Sequence, residues 1–192
     1  MNKRPYLVVI DPGHGGQDPG AINSEHKIKE KDINLSMAKL FKKEVSSGDY
    51  LYDVILTREE DCFVGLIERY QIANRAKADL FLSFHCNACE DKNVSGLEVW
   101  YYPNSKEGKV LAAEVYRDLI NMVMEGHNGR GIKEGNFFVL RYTNMPAILI
   151  EFEFISNSEQ ALFLSDKENQ RELAKQIAET VEFFLEGGNL NG

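Results

Sequence analysis

The chain is poor in cysteine, in long apolar runs and in positive charge. Three cysteines, Cys62, Cys86 and Cys89, cannot all pair, which argues against a disulfide framework. Cys86 and Cys89 form a C-x-x-C, but it follows a strand pattern instead of opening a helix. It therefore reads as small residues packed beside a functional group and not as a redox pair. The apolar runs are short: Asp11 interrupts the first directly after Leu7-Val-Val-Ile10, so none is long enough to span a bilayer. Lys3 and Arg4 precede about six apolar-leaning residues, short of the ~7–15 that a secretory signal uses, and no signal peptide is expected in this chain. Acidic residues number 30 against 22 lysines and arginines, for a net charge of −8. That balance lacks the basic face a nucleic-acid binder needs, and any anionic polymer would have to be gripped locally.

What is present reads as one soluble globular domain over residues 1–192, with 43% apolar and 27% charged residues. No internal repeat, low-complexity stretch or interdomain linker interrupts it. Leu7-Val-Val-Ile10 is a buried parallel strand opening into the glycine-rich Asp11-Pro-Gly-His-Gly-Gly16. From Lys31, residues Ile33, Met37, Leu40, Phe41 and Val45 recur at helical spacing, and Ser46-Ser-Gly-Asp49 ends that helix. A strand over 53–57 leads through an acidic loop to an amphipathic helix marked by Leu66, Ile67, Tyr70, Ala73 and Ala76. A third strand covers 79–84, an edge strand 96–102, and a helix runs from about Lys109 to Met124. Residues 128–131 are expected as a turn, 137–140 as a short strand and 147–150 as the last buried strand. A closing helix over about 167–185 is stopped by Gly187-Gly188. Alternating strands and helices predict an α/β domain whose largely parallel sheet is covered on both faces.

Four polar residues stand at strand-to-loop or loop-to-helix junctions: His14, Glu30, His85 and Glu151. Two neutral imidazoles and a carboxylate make an open zinc site that keeps a position for water, and a fourth, unligated carboxylate can take that water's proton. The strands before His14, His85 and Glu151 are expected to finish at those residues, and ligands of open α/β sheets bind beyond the carboxyl ends of strands. Each residue also has a plainer reading. His14 can stabilise its loop, and Glu30 can complement the dipole of the helix it begins, with Glu25 and Asp32 as competitors. His85, after Leu-Phe-Leu-Ser-Phe, needs a buried partner or a metal, and Glu151 ends an apolar strand where a free carboxylate is costly. Glu153 shares the face of Glu151 if that strand continues. H-E-x-x-H is absent, which excludes the commonest helical zinc-peptidase arrangement.

Taken together, Val8-Val-Ile-Asp-Pro-Gly-His-Gly-Gly16, Glu30-Lys-Asp-Ile-Asn-Leu35, Leu56-Thr-Arg58 with Arg69 and Ala73-Asn74, residues 78–88 around His85, and residues 145–157 around Glu151 resemble the successive motifs of the zinc-dependent N-acetylmuramoyl-L-alanine amidases. The resemblance spans about residues 6–185. It implies a parallel or mixed six-stranded sheet flanked by helices, one zinc ion held by His14, Glu30 and His85, and Glu151 as the catalytic glutamate. It implies as substrate peptidoglycan, cut at the amide between the lactyl group of muramic acid and L-alanine, with the cell wall as site of action. Glu151 would accept the water proton and return it to the leaving nitrogen while the zinc stabilises the oxyanion. Where the family usually carries glycine this chain has Glu153, a like charge expected to raise the pKa of the base or alter substrate fit. Residues 103–109 are too short for the autoinhibitory helix of some relatives, so no obligatory activator is expected. Arg58, Arg69 and Arg130 are candidates for substrate carboxylates, with structural bridging expected for at least two. The competing readings are a zinc peptidase or deacylase on a related scaffold and a wall-binding module without catalysis.

Overall fold

The computed structural model describes residues 5–124 and 126–187. Lys3, Arg4 and Gly188, on which the readings of the two chain ends rested, lie outside them. A six-stranded mixed sheet is built from β1 (Tyr6–Pro12), β4 (Tyr52–Leu56), β5 (Leu80–Asn87), β6 (Leu97–Tyr101), β7 (Gly129–Glu134) and β8 (Ala147–Phe154), in the order β4-β1-β5-β8-β6-β7. The first four in that order run parallel, and β6 pairs antiparallel with β8 and parallel with β7. A two-residue ribbon of β2 (Ile22–Asn23) and β3 (Ile28–Lys29) closes the long loop before the first helix.

Helices cover both faces, as the alternating pattern requires. On one face α1 (Glu30–Ser47), α3 (Lys106–Asp118, extended by a π turn over Leu119–Val123), α5 (Ser158–Ser165) and α6 (Lys167–Leu185) seal the larger core, with Phe41, Leu111, Val115 and Ile177 fully buried. On the other, α2 (Leu66–Ala76) and the single turn α4 (Phe138–Arg141) pack Ala73, Val139 and Leu140 over Val9, Phe81 and Leu149. From β1 the chain moves to β4 on one side and β5 on the other. The β1/β5 boundary is thus the point where strand order reverses and a crevice opens.

Several expectations are corrected. The strand at 96–102 is not an edge: β6 lies between β8 and β7, because residues 128–131 open a real strand in place of a turn. Residues 137–140 form no strand. A four-residue apolar run has no decisive period, and here one helical turn buries Val139 and Leu140 while leaving Phe138 exposed. The inward face of α2 is carried by Arg69 and Ala73; Leu66 and Ile67 are each 56% exposed. Strand β1 continues through Asp11, whose carboxylate is fully buried but satisfied. His85 and Glu151 sit inside their strands, since the ladder runs past them and pairs one with the other.

Candidate metal centre

His14 leaves β1 in the left-handed region at φ 62°, an uncommon conformation for a residue with a Cβ. Two buried arginines hold it there. Arg58 Nη2 donates to Gly13 O at 2.9 Å and its Nε to Pro12 O at 3.0 Å, while Arg69 Nη2 donates to His14 O at 2.8 Å. Arg69 is itself fixed by Asp11 Oδ1 at 2.7 Å, and Asp11 also accepts from Thr57 and Ser83. Arg58 and Arg69 therefore have the structural role anticipated for at least two of the arginines. Arg130 likewise makes a bridge, to Glu98.

The first residue of α1 is Glu30, so its side chain is carried back over the loop that follows β1. Ala21 N–H donates to its Oε2 at 2.9 Å and Cys86 N–H to its Oε1 at 3.1 Å. That same Oε1 lies 3.0 Å from His85 Nδ1 and 3.2 Å from His14 Nε2. The His14 ring meets His85 edge-on at 5.0 Å, and its other nitrogen, Nδ1, hydrogen bonds Asp18 Oδ2 at 2.9 Å. Such a carboxylate fixes tautomer and ring orientation of a metal-binding histidine. Gly13 makes the approach possible, because a Cβ there would stand 2.2 Å from the His85 ring.

One donor atom each from His14, Glu30 and His85 thus falls within 4.8 Å of the others, a spacing that fits a single cation. The electrostatics agree with that reading. Burial alone would lower the His14 pKa, yet Glu30 and Asp18 push it up to about 9. Burial would lower His85 too, but the hydrogen bond to Glu30 and the charges of Glu151 and Glu30 raise it. Burial would raise Glu30, and the two imidazoles instead hold it well below the usual carboxylate range. The carboxylate between two imidazoles draws positive charge to the cluster, which a metal ion could supply in place of protons. Glu25 and Asp32, the competitors of Glu30, lie outside this cluster.

Glu151 stands opposite on β8, in register with His85, and both line a cleft of about 490 Å³ together with His14, Asp18, Phe63 and Phe138. Its Oε2 is buried and has no hydrogen-bond partner among the described residues. Burial first, then the charges of Glu30 and Glu98 against the opposing pull of His85 and His14, raise its pKa to about 7. Glu153 is not the neighbour anticipated. A bulge opposite His85–Asn87 breaks the alternation of β8, and the fully buried Glu153 accepts from Gly96 N–H at 2.5 Å and bonds His127 Nδ1 at 3.1 Å. Cys86 and Cys89 are free thiols; Cys86 is buried beside Glu30, and burial pushes its pKa well above the ordinary value, as suits a packing role.

Sequence reasoning missed Asp18, Glu98 and the apolar wall of Phe63, Leu66 and Phe138 that lines the cleft or its floor. Asp18 had a weak signal in its i,i+4 spacing from His14. Glu98 had one in the polar interruption of an otherwise apolar strand.

An α/β scaffold presenting a His–Glu–His cluster that could hold a metal ion, beside an unpaired carboxylate, is the arrangement of a candidate hydrolase site. The particular family follows from comparison: residues 8–182 match the family described as N-acetylmuramoyl-L-alanine amidase, and the chain belongs to it. It is 38% identical over 186 residues to the endolysin of Bacillus phage SPP1, covering 93% of this chain and 66% of that protein. It is 35% identical over 180 residues to the N-acetylmuramoyl-L-alanine amidase LytC of Bacillus subtilis, covering 92% of this chain and 35% of LytC. The chain thus spans about a third of LytC and just under two thirds of the endolysin. The crystal structure of an N-acetylmuramoyl-L-alanine amidase from Clostridium difficile 630 superposes with a TM-score of 0.91 at 34% identity, covering 99% of this chain and all of that one.

Proposed function

We propose that this chain hydrolyses peptidoglycan at the amide joining the lactyl group of N-acetylmuramic acid to L-alanine, using one zinc ion held by His14, Glu30 and His85. The observation that carries this reading is the pairing, in one cleft, of three donors within 4.8 Å with a fourth carboxylate left unligated. A zinc ion held by these three residues would supply Lewis acidity for activating a water and polarising the scissile carbonyl. Glu151, whose carboxyl burial raises to about 7 in the metal-free chain, takes the water's proton and returns it to the departing alanine nitrogen. Asp18 keeps the His14 Nε2 free to ligate, and Arg58 and Arg69 hold the loop that aims it. His14, His85 and Glu151 all retain exposed surface in the cleft, which supports activity without an activator partner. The site of action is the cell wall. No helix of the described residues is long and apolar enough to cross a membrane.

The test is digestion of purified sacculi with and without chelator, scored for new amino-terminal alanine. Zinc-dependent release of alanine termini supports the proposal. Peptide shortening without new alanine termini assigns a peptidase, and binding without release a wall-binding module; either outcome replaces it.

A further inference from the structure

Beside the cleft lies a charged cluster that neither the metal centre nor the base accounts for. Glu98, only 3% exposed, is the cross-strand partner of Glu151 on β6. Its Oε1 accepts from Arg130 Nε at 2.6 Å and from Lys133 Nζ at 2.5 Å, and its Oε2 from Asn87 and Trp100 at 3.2 Å. Burial would raise the Glu98 pKa, but Lys133 and Arg130 hold it below the ordinary value, so it is ionised. One carboxylate therefore faces two cations, and one positive charge is left over. The remaining acid of that strand, Glu134, follows Lys133 and so points to the opposite face, where it accepts from Tyr101 Oη.

Two residues three apart on a regular strand point to opposite faces. Arg130 and Lys133 point to the same one because β7 carries a bulge: Leu97 pairs with Gly129 and Val99 with Ile132, so the β7 side has one residue more, with Gly131 at φ 82°. Bulges beside active sites commonly re-aim side chains in this way. Both cations keep outward surface, with side chains 41% and 30% exposed. Each lies 5.2 Å from an aromatic ring, Phe154 for Arg130 and Trp100 for Lys133, which limits where the charge can wander.

Resting on the function proposed above, we infer that Arg130 and Lys133 form a subsite for the free carboxylate of the stem-peptide residue that follows L-alanine. The reach is right. That carboxylate lies within about 7 Å of the scissile nitrogen, at ~3.3–3.6 Å per residue. β7 is two strands from β8, or about 10 Å, and both cationic side chains extend back toward Glu98. Charge complementarity argues for the same occupant: a chain of net charge −8 repels an acidic wall polymer overall and needs local cations to seat it.

The experiment uses the zinc-loaded protein on soluble glycan strands whose stem peptides carry either D-isoglutamate or D-isoglutamine after the alanine. The acid form is expected to be cleaved about 5–10-fold better in kcat/KM, with the preference shrinking as salt rises. Lys133→Gln and Arg130→Gln should each bring the ratio of kcat/KM for the acid over the amidated substrate toward one, with the melting temperature of each zinc-loaded variant reporting that it is folded. Equal rates on both substrates in the unaltered protein overturn the inference alone, as does a variant that slows both alike. No cleavage of either substrate at the lactyl–alanine bond overturns the proposed function and the subsite with it.

Discussion

Replacing Glu151 by glutamine should make the metal-free protein more stable and the metal-loaded protein inactive. In the folded chain the Glu151 carboxyl is raised from 4.5 to about 7, chiefly by burial. A group that holds its proton more tightly when folded binds more protons in the native than in the unfolded state between those two values. Stability therefore falls as pH rises through that window. Below 4.5 the carboxyl is neutral in both states and contributes no penalty. Above about 7 it is ionised in both, and the full penalty is present. Carrying a carboxyl from 4.5 to about 7 corresponds to about 3 kcal/mol. Glutamine does not titrate, although its buried amide loses about 1 kcal/mol of hydration that the unpaired Oε2 position does not return. The expected net effect is a gain of about 2 kcal/mol above the window and a loss of about 1 kcal/mol below it. Urea denaturation with chelator present, at a series of pH values across the window, measures this directly. In parallel, turnover on sacculi should fall by at least about 100-fold while zinc stoichiometry holds. Stability curves for the two proteins that run parallel at every pH would refute the burial argument. Activity within a few-fold of the unaltered protein would place the base elsewhere.

Three further outcomes follow from the same geometry. Glu30→Ala should weaken zinc binding well beyond the ~10–100-fold expected for Asp18→Asn, which only unties the His14 ring; competition with a chromogenic chelator ranks the two, and tight zinc in the alanine variant would reduce Glu30 to a helix-end charge. Arg69→Met leaves the buried Asp11 carboxylate without its cation and three backbone carbonyls short of a donor, so chemical denaturation should show a loss of about 3–5 kcal/mol; a loss below about 1 kcal/mol would mean that water replaces the guanidinium. Zinc at about 100 times its dissociation constant should add about 2.7 kcal/mol to the stability of the unaltered protein and nothing to His85→Ala, read as the shift in melting temperature on chelation.

Much of this was legible because strand interiors are apolar. His85 after Leu-Phe-Leu-Ser-Phe and Glu151 after Ala-Ile-Leu-Ile stand out as polar residues where polarity is expensive, and the two turn out to be cross-strand partners. The alternation of periods likewise announced α1, β5 and α6; the last matches its expected bounds of 167–185. What stayed hidden depends on register. The bulges in β7 and β8 turn Lys133 and Glu153 to faces that a strict two-residue period does not assign them, and a bulge is set by pairing partners distant in the chain. The run at 137–140 is too short for any period, and α2 inverted expectation because its buried face carries an arginine with a job inside.

Three carboxylates stand in or behind the cleft wall, and their surroundings assign them different work. Glu30 is flanked by two imidazoles and held low, so it stays anionic and suits a metal ligand. Glu98 is clamped by Arg130 and Lys133 and also held low, so it acts as a fixed counter-ion. Glu151 has the burial without a bonded cation, and of the three it alone titrates near neutrality, where a proton can be taken and given back with little loss in either direction. The division is electrostatic and not a matter of residue type, so moving a cation should move the role. Trp100→Arg, on the strand that carries Glu98, sets a guanidinium within reach of the two acids that face each other across β6 and β8. If it pairs with Glu151, the acid limb of the pH–rate profile should shift to lower pH and the maximal rate should fall, because the base becomes weaker as it becomes easier to ionise. An unchanged limb in a folded, zinc-loaded variant would show that the ion in the site, and not the protein's own charges, sets the proton affinity of Glu151.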